Sequence, residues 1–203
     1  MIKLFIRDDI RKLNKFKRVY VLASGGKDST FTALNLWQLR NWIKTDVILF
    51  FEDTGNNTKE ARATIKQLGE ETFQLQFLTS KDYISKKPLK LVIESFSRIP
   101  QAKQLLLEGK YSKKVFPCCY ALKEGPFLQW LKKDDHNEDC FILSIGISDA
   151  WWRRKWLLNL RRQQKRFHFN SQKQVWYYYP LRDIRKSVIK TFLSKEKLFW
   201  NTE

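Results

Sequence analysis

Between positions 150 and 182 the chain has no acidic residue, although nine basic residues and nine aromatics fall in that window. Long apolar runs are missing too. No stretch approaches the roughly 20 residues of a transmembrane helix, and the opening Met-Ile-Lys-Leu-Phe-Ile-Arg-Asp-Asp places acids where a secretory signal needs an apolar core. The expectation is a soluble, cytoplasmic chain with no membrane partner. Cysteine is scarce: Cys118, Cys119 and Cys140 are too few for a disulfide framework, and adjacent cysteines rarely close a comfortable bridge. There is no internal repeat and no low-complexity linker, which excludes solenoids and strings of domains. With 203 residues and 43% hydrophobic content, the chain is expected to be one domain over 1–203 with a proper core. Residues 1–17 read as a lead-in and 150–203 as a basic, aromatic C-terminal part.

Thirty-nine Lys and Arg against 21 Asp and Glu give a formal charge of +18. Two readings fit this excess: a polyanion partner, or a lysine-rich solubilising surface. The placement of the cations, more than their total, is informative.

Hydrophobic patterning predicts strands over 18–24, 46–51, 73–78, 140–147 and 175–181. Helices are predicted over 29–41, 58–68, 151–166 and 187–199. A helical, basic stretch over 81–114 is broken by Pro88 and Pro100, and another helix ends at Trp130. The run Asp-Val-Ile-Leu-Phe-Phe (46–51) is apolar on both faces, as in a central parallel strand. Strands alternating with helices predict an α/β fold: a doubly wound, mainly parallel five-stranded sheet with helices on both faces. Its ligands should sit at the carboxyl ends of the strands.

The first strand runs directly into Ser24-Gly25-Gly26-Lys27-Asp28-Ser29-Thr30. Glycines let backbone amides approach phosphate oxygens, hydroxyls and a lysine add hydrogen bonds and charge, and the following helix adds its positive end. The common P-loop spacing would need a glycine at position 21, which is Val21. A bland alternative is a glycine turn that only joins strand to helix.

Six consecutive positions of this run instead resemble the pyrophosphate loop of the adenine nucleotide α-hydrolases, or N-type ATP pyrophosphatases (the PP-loop superfamily). Asp53-Thr54-Gly55, followed by Glu60, resembles the Asp-Thr-Gly element after the second strand in the phosphoadenosine phosphosulfate (PAPS) reductase family. Cys118-Cys119, Lys123 and Pro126 share that family's spacing. Gly146, Arg153 and Arg154 occupy the place of its Gly-x-Arg segment, with Ser148 where the first arginine belongs. Tyr179-Pro180-Leu181 before Asp183 resembles its late Pro-Leu element, without the tryptophan. The resemblance spans about 18–199 and weakens toward the C terminus.

The resemblance implies that Ser24 to Thr30, Asp53, Thr54, Gly55 and Gly146 bind an adenine nucleotide. Lys27, Asp28, Lys123, Arg153 and Arg154 are the expected catalytic set. Working reductases of the family carry a thiolate nucleophile on a C-terminal tail, and no cysteine follows Cys140 here. Such reductases also tend to lose the Gly-Gly-Lys, which this chain keeps. The expected chemistry is therefore attack of an acceptor oxygen on the α-phosphorus of ATP, with Mg²⁺ neutralising charge and pyrophosphate leaving. Sulfur then displaces the adenylate. Cys118, Cys119 and Cys140 could hold at most a three-cysteine iron–sulfur cluster; simple buried thiols are the equal alternative. Trp151, Trp152, Arg161, Arg162, Lys165 and Arg166 interleave cations with stacking surfaces, as a nucleic-acid substrate (tRNA or DNA) would need. Their competing reading is an amphipathic helix with Trp156, Leu157 and Leu160 in the core. A sulfur-donor protein and a second copy of the chain complete the expected partners. His136 and His168 read as loop or surface residues. The alternatives are a sulfonucleotide (PAPS/APS) reductase and a nucleic-acid accessory protein with a vestigial nucleotide site.

Overall fold

The computed structural model describes residues 4–54, 57–79, 125–145, 151–163 and 165–194. Six strands form one sheet: β1 (Arg18–Ala23), β2 (Asp46–Asp53), β3 (Gln74–Thr79), β4 (Asp139–Leu143), β5 (Phe167–Asn170) and β6 (Val175–Tyr178). Their order is β3-β2-β1-β4-β6-β5. All pairs are parallel except β5 with β6. The α/β, mainly parallel expectation holds, with one strand more than patterning gave.

That extra strand belongs to a hairpin. Phe167 pairs with Tyr178 and Asn170 with Val175. The Asn170 carboxamide oxygen accepts the amides of Gln172 and Lys173 (3.1 and 3.0 Å), and Gln174 takes the left-handed φ of 53°. A turn without glycine or proline gives no strong sequence signal, so 167–170, between the helix expected over 151–166 and the strand expected over 175–181, is given no strand by patterning.

Alternation along the strands builds two cores. Val19, Val21, Leu49, Phe51, Cys140, Ile142 and Tyr178 face one side. There α1 (Arg7–Leu13), α2 (Lys27–Gln38), α3 (Lys59–Glu71) and α6 (Lys186–Leu193) cover them. Tyr20, Phe50, Phe141 and Tyr177 face the other side, under Phe127 of α4 (Gly125–Leu131) and Leu157 and Leu160 of α5 (Trp151–Arg162). Each fully buried large apolar side chain contributes roughly 1.5–3 kcal/mol. The second core is largely aromatic: Tyr20 stacks on Phe141 at 4.9 Å, and Trp130 meets the Tyr20 edge at 5.5 Å. Burial pushes the Tyr20 phenol up to about 12, with the Asp139 carboxylate adding to it.

Asp139 opens β4 and is fully buried. Arg18 donates to it from Nε (3.0 Å) and reaches its second oxygen from Nη2 (2.8 Å). His136 Nδ1 lies 2.6 Å from Asp139 Oδ2, and its ring stacks near Trp130 at 4.4 Å. His136 is therefore a buried anchor of the loop before β4: the loop part of its reading holds and the surface part is corrected. The Asp139 hydrogen bond holds the Arg18 guanidinium even more firmly protonated than usual.

Candidate active site

The chain runs outward through β1, β2 and β3, then returns to place β4 on the other side of β1. Helices α2 and α3 cover one face, and α4 and α5 the other. This reversal makes the carboxyl ends of β1 and β4 a topological switch point, where open α/β sheets bind ligands. Ser24 to Thr30 sits there.

Helix α2 starts at Lys27, two residues before the expected position, so Gly26 is its N-cap. The intrahelical ladder begins with Thr30 N–H donating to Gly26 O at 3.0 Å. The first-turn amides lie ahead of that ladder, beyond the reach of i−4 carbonyls. Ser29 Oγ closes the loop: it accepts from the Ser24 amide (3.1 Å) and donates to Gly26 O (3.0 Å). It also lies 3.2 Å from Ser24 Oγ. The two serines of the motif are thus bound to each other and to the turn. Lys27 Nζ is 3.7 Å from Asp28 Oδ1, and both side chains are mostly buried.

Gly25 has φ +75°, and a Cβ there would lie 2.3 Å from the Ala61 carbonyl oxygen and 2.6 Å from its Cα. The loop therefore rests directly on the backbone of α3's first turn. Ala61 is a site residue that the motif reading missed. Thr58 caps α3 by accepting the Ala61 amide at 3.1 Å. The bracing residue is fixed by that cap, and only the α3 packing reveals its role.

Asp53 and Thr54 lie at the carboxyl end of β2, next to the loop. Asp53 Oδ1 is paired with Arg62 Nη2 at 2.9 Å, a cation that the sequence reading did not single out. Thr54 is buried, with its amide and hydroxyl both donating to Asn57 Oδ1 (2.8 and 2.7 Å). Two further buried hydroxyls at this end, Thr30 Oγ1 and Ser144 Oγ, have no hydrogen-bond partner among the described residues. Gly55, Lys123 and Gly146 fall outside the described residues. Arg153, Arg154, Trp151 and Trp152 lie on the first turn of α5, with only their backbone described.

The cysteine expectation is corrected in part. Cys118 and Cys119 lie outside the described residues, but Cys140 is fully buried in the α2-side core. It pairs with Val19, five residues before Ser24, which puts it roughly 16 Å along the strands from the loop. Burial also pushes its thiol up, whereas a cluster ligand must be a thiolate. Cys140 does not fit a cluster at this site. Among the described residues no group of three or more His, Cys, Asp or Glu could hold a metal ion.

The cationic segment also divides. Arg166 is mostly buried: its Nη1 is bonded to the Asp9 carboxylate, and Nη2 donates to Leu4 O and Pro180 O (both 3.3 Å). It ties α1 to the β6 end, which corrects its assignment to a nucleic-acid surface. Arg161 Nε pairs with Asp183 at 3.1 Å; Arg161, Arg162 and Lys165 are exposed. Leu157 and Leu160 are core, as the amphipathic reading has it. Arg166→Ala is expected to cost about 1.5–3 kcal/mol in urea unfolding, because the Asp9 carboxylate loses its charged hydrogen-bond partner. A change under about 0.5 kcal/mol, the ordinary surface value, would restore it to the surface.

No family model and no curated protein matches the chain. Among solved structures it is similar to a PAPS reductase from Candida auris, in its phosphate complex. That likeness covers 97% of this chain and 90% of the reductase, with TM-score 0.58 and 11% identity. It is also similar to the U34-tRNA thiolase NcsA from Methanococcus maripaludis, a structure with a [4Fe-4S] cluster. Here 98% of this chain matches 63% of the thiolase, with TM-score 0.58 and 16% identity. The chain thus spans less than two thirds of the thiolase's length. These likenesses show a shared fold. No helix among the described residues is long and apolar enough to cross a membrane.

Proposed function

We propose that this chain is an ATP-binding PP-loop enzyme that releases pyrophosphate while adenylating an acceptor, and that the acceptor is nucleic acid marked for sulfur transfer. The observation that carries the reading is the loop itself. Gly25 in a left-handed turn against α3, the locked serine pair and the open first turn of α2 converge at the switch point. That arrangement suits a pyrophosphate, whose charge is met by amides, hydroxyls and Lys27.

In this reading the loop binds the β,γ-phosphates and leaves the α-phosphorus toward the acceptor. The acceptor oxygen attacks, the bond to pyrophosphate breaks, and a sulfur nucleophile from a donor protein later displaces AMP. Mg²⁺ binds chiefly through phosphates and water with one or two carboxylates; Asp28 is the carboxylate of the loop and fits that modest demand. No step is assigned to an iron–sulfur cluster, since Cys140 does not fit one. The structural neighbours, a PAPS reductase and a tRNA thiolase, are the reason for choosing sulfur chemistry and a nucleic-acid acceptor.

Lys27→Ala is expected to weaken ATP binding by about 10- to 100-fold, because a charge-assisted contact of about 1.5–3 kcal/mol is lost. The fold should survive. Titration calorimetry with ATP checks this, and unchanged affinity would remove the loop assignment. Pyrophosphate release dependent on ATP and RNA supports the enzyme; tight RNA binding without it points to an accessory protein. A second reading, a sulfonucleotide reductase, draws on the 97% overlap with the PAPS reductase. Thiol-dependent sulfite release from PAPS or APS would establish it in place of the first.

A further inference from the structure

The amino ends of the strands, opposite the nucleotide loop, carry a second feature. From Ile10 to Arg18 there are five cations and no acid, and from Ser29 to Thr45 there is again no acid. The fold joins these two acid-free segments. Asn14 Nδ2 donates to Trp42 O (3.0 Å), and Asn14 Oδ1 accepts the Lys44 amide (2.8 Å). Thr45 Oγ1 bonds the carbonyls of Phe16 and Lys17 (2.7 and 3.0 Å). The loop after α1 is thereby clamped to the loop before β2.

The clamp gathers Lys15, Lys17 and Lys44, all exposed, around Trp42, which is 67% exposed. Trp42 is the most exposed large hydrophobic among the residues whose side chains are described. On the other flank Lys12 Nζ lies 5.5 Å over the Trp176 ring, and Trp176 contacts the half-exposed Phe169 at 5.2 Å. Asp46, Glu138, Asp134 and Asp135 border this ridge on its Arg18 side. An exposed indole beside exposed cations is the combination that grips an unpaired strand. Phosphates follow the cations while a base stacks on the ring.

We infer that this ridge binds single-stranded nucleic acid, with phosphates along Lys12, Lys15, Lys17 and Lys44 and a base on Trp42. The inference rests on the nucleic-acid part of the proposed function and adds a surface that the motifs do not touch. It places the anchoring of the strand at the end of the sheet away from the chemistry. A long acceptor can then be held by one end of the protein while another part enters the nucleotide cleft.

The test titrates the full chain into a fluorescein-labelled oligouridylate of about 20 nucleotides, at about 50 and 200 mM salt. Trp42→Ala is expected to weaken binding about tenfold through lost stacking. The triple variant Lys15→Glu, Lys17→Glu, Lys44→Glu should weaken it more, and flatten the salt slope by about 2. Both should keep the thermal midpoint and ATP affinity of the parent, since all four side chains face solvent. If both bind like the parent while Arg162→Glu with Lys165→Glu on α5 loses binding, the ridge is wrong and the nucleic-acid partner stands. If the parent binds no oligonucleotide but binds vesicles of phosphatidylserine and phosphatidylcholine, the ridge is a membrane surface and both readings fall. No binding to either overturns both as well.

Discussion

Gly25→Ala is expected to cost about 4 kcal/mol of stability and, in whatever protein remains folded, to reduce pyrophosphate release by about 10²–10³-fold. Two effects combine. Its φ of +75° is a conformation in which a Cβ is strained by about 1–2 kcal/mol. The larger effect is contact: the new methyl would stand 2.3 Å from the Ala61 carbonyl oxygen, 2.6 Å from its Cα and 2.7 Å from its carbonyl carbon. All three are backbone atoms of a capped helix, so no side-chain rotation relieves the overlap. Either α3 moves away from β1 or the loop turns over, and in both cases the first-turn amides of α2 are displaced. Ala61→Gly should therefore fail to rescue the variant, since it removes none of the clashing atoms. Chemical denaturation measures the first effect and a pyrophosphate assay the second. A Gly25→Ala protein with the parent's midpoint and activity would show that the loop does not rest on α3.

Asp139→Ala should be the most damaging change away from the loop, at about 3–5 kcal/mol in urea unfolding. The carboxylate is fully buried and serves two partners, Arg18 at 2.8 and 3.0 Å and His136 at 2.6 Å. Removing it leaves a guanidinium without its counter-charge at the head of β1. It also leaves His136 Nδ1 unpaired inside an aromatic layer where Nε2 already has no partner among the described residues. Asp139→Asn keeps the shape and one acceptor but loses the charge, and should fall between the two. ATP affinity should be unaffected in either variant that folds, because the network is at the far end of the strands. A loss below about 1 kcal/mol for Asp139→Ala would mean that Arg18 and His136 find water instead.

Much of the architecture is legible from pattern alone. The continuous apolar run in β2 demanded cover on both faces, and two separate cores provide it. The alternation of strand and helix fixed the class, because parallel strands need crossovers and crossovers need helices. The hairpin strand β5 escaped because four residues between an expected helix and an unmarked turn are too short a run to show an alternation. Histidine burial escaped for a different reason. No local spacing tells that His136 folds back onto Asp139, three residues later, beneath the Trp130 and Tyr20 rings.

The site divides in the same way. The strand–turn–helix of Ser24 to Thr30 could be read from the sequence because that geometry is set by neighbours along the chain. Arg166 could not: nothing in Lys-Arg-Phe-His-Phe says that the second cation turns inward to Asp9, 157 positions away. Cys140 likewise has the identity of a ligand and the position of a core residue. By itself, then, the sequence determined the α/β class, the glycine turn between β1 and α2 and the excess of positive charge. Only the tertiary structure decided that α3's backbone braces Gly25, which cations face water, and that Trp42 stands among them. Hydrogen-bonding loops and periodic strands are short-range properties, whereas burial, ion pairing and surface clustering depend on which distant segments pack together.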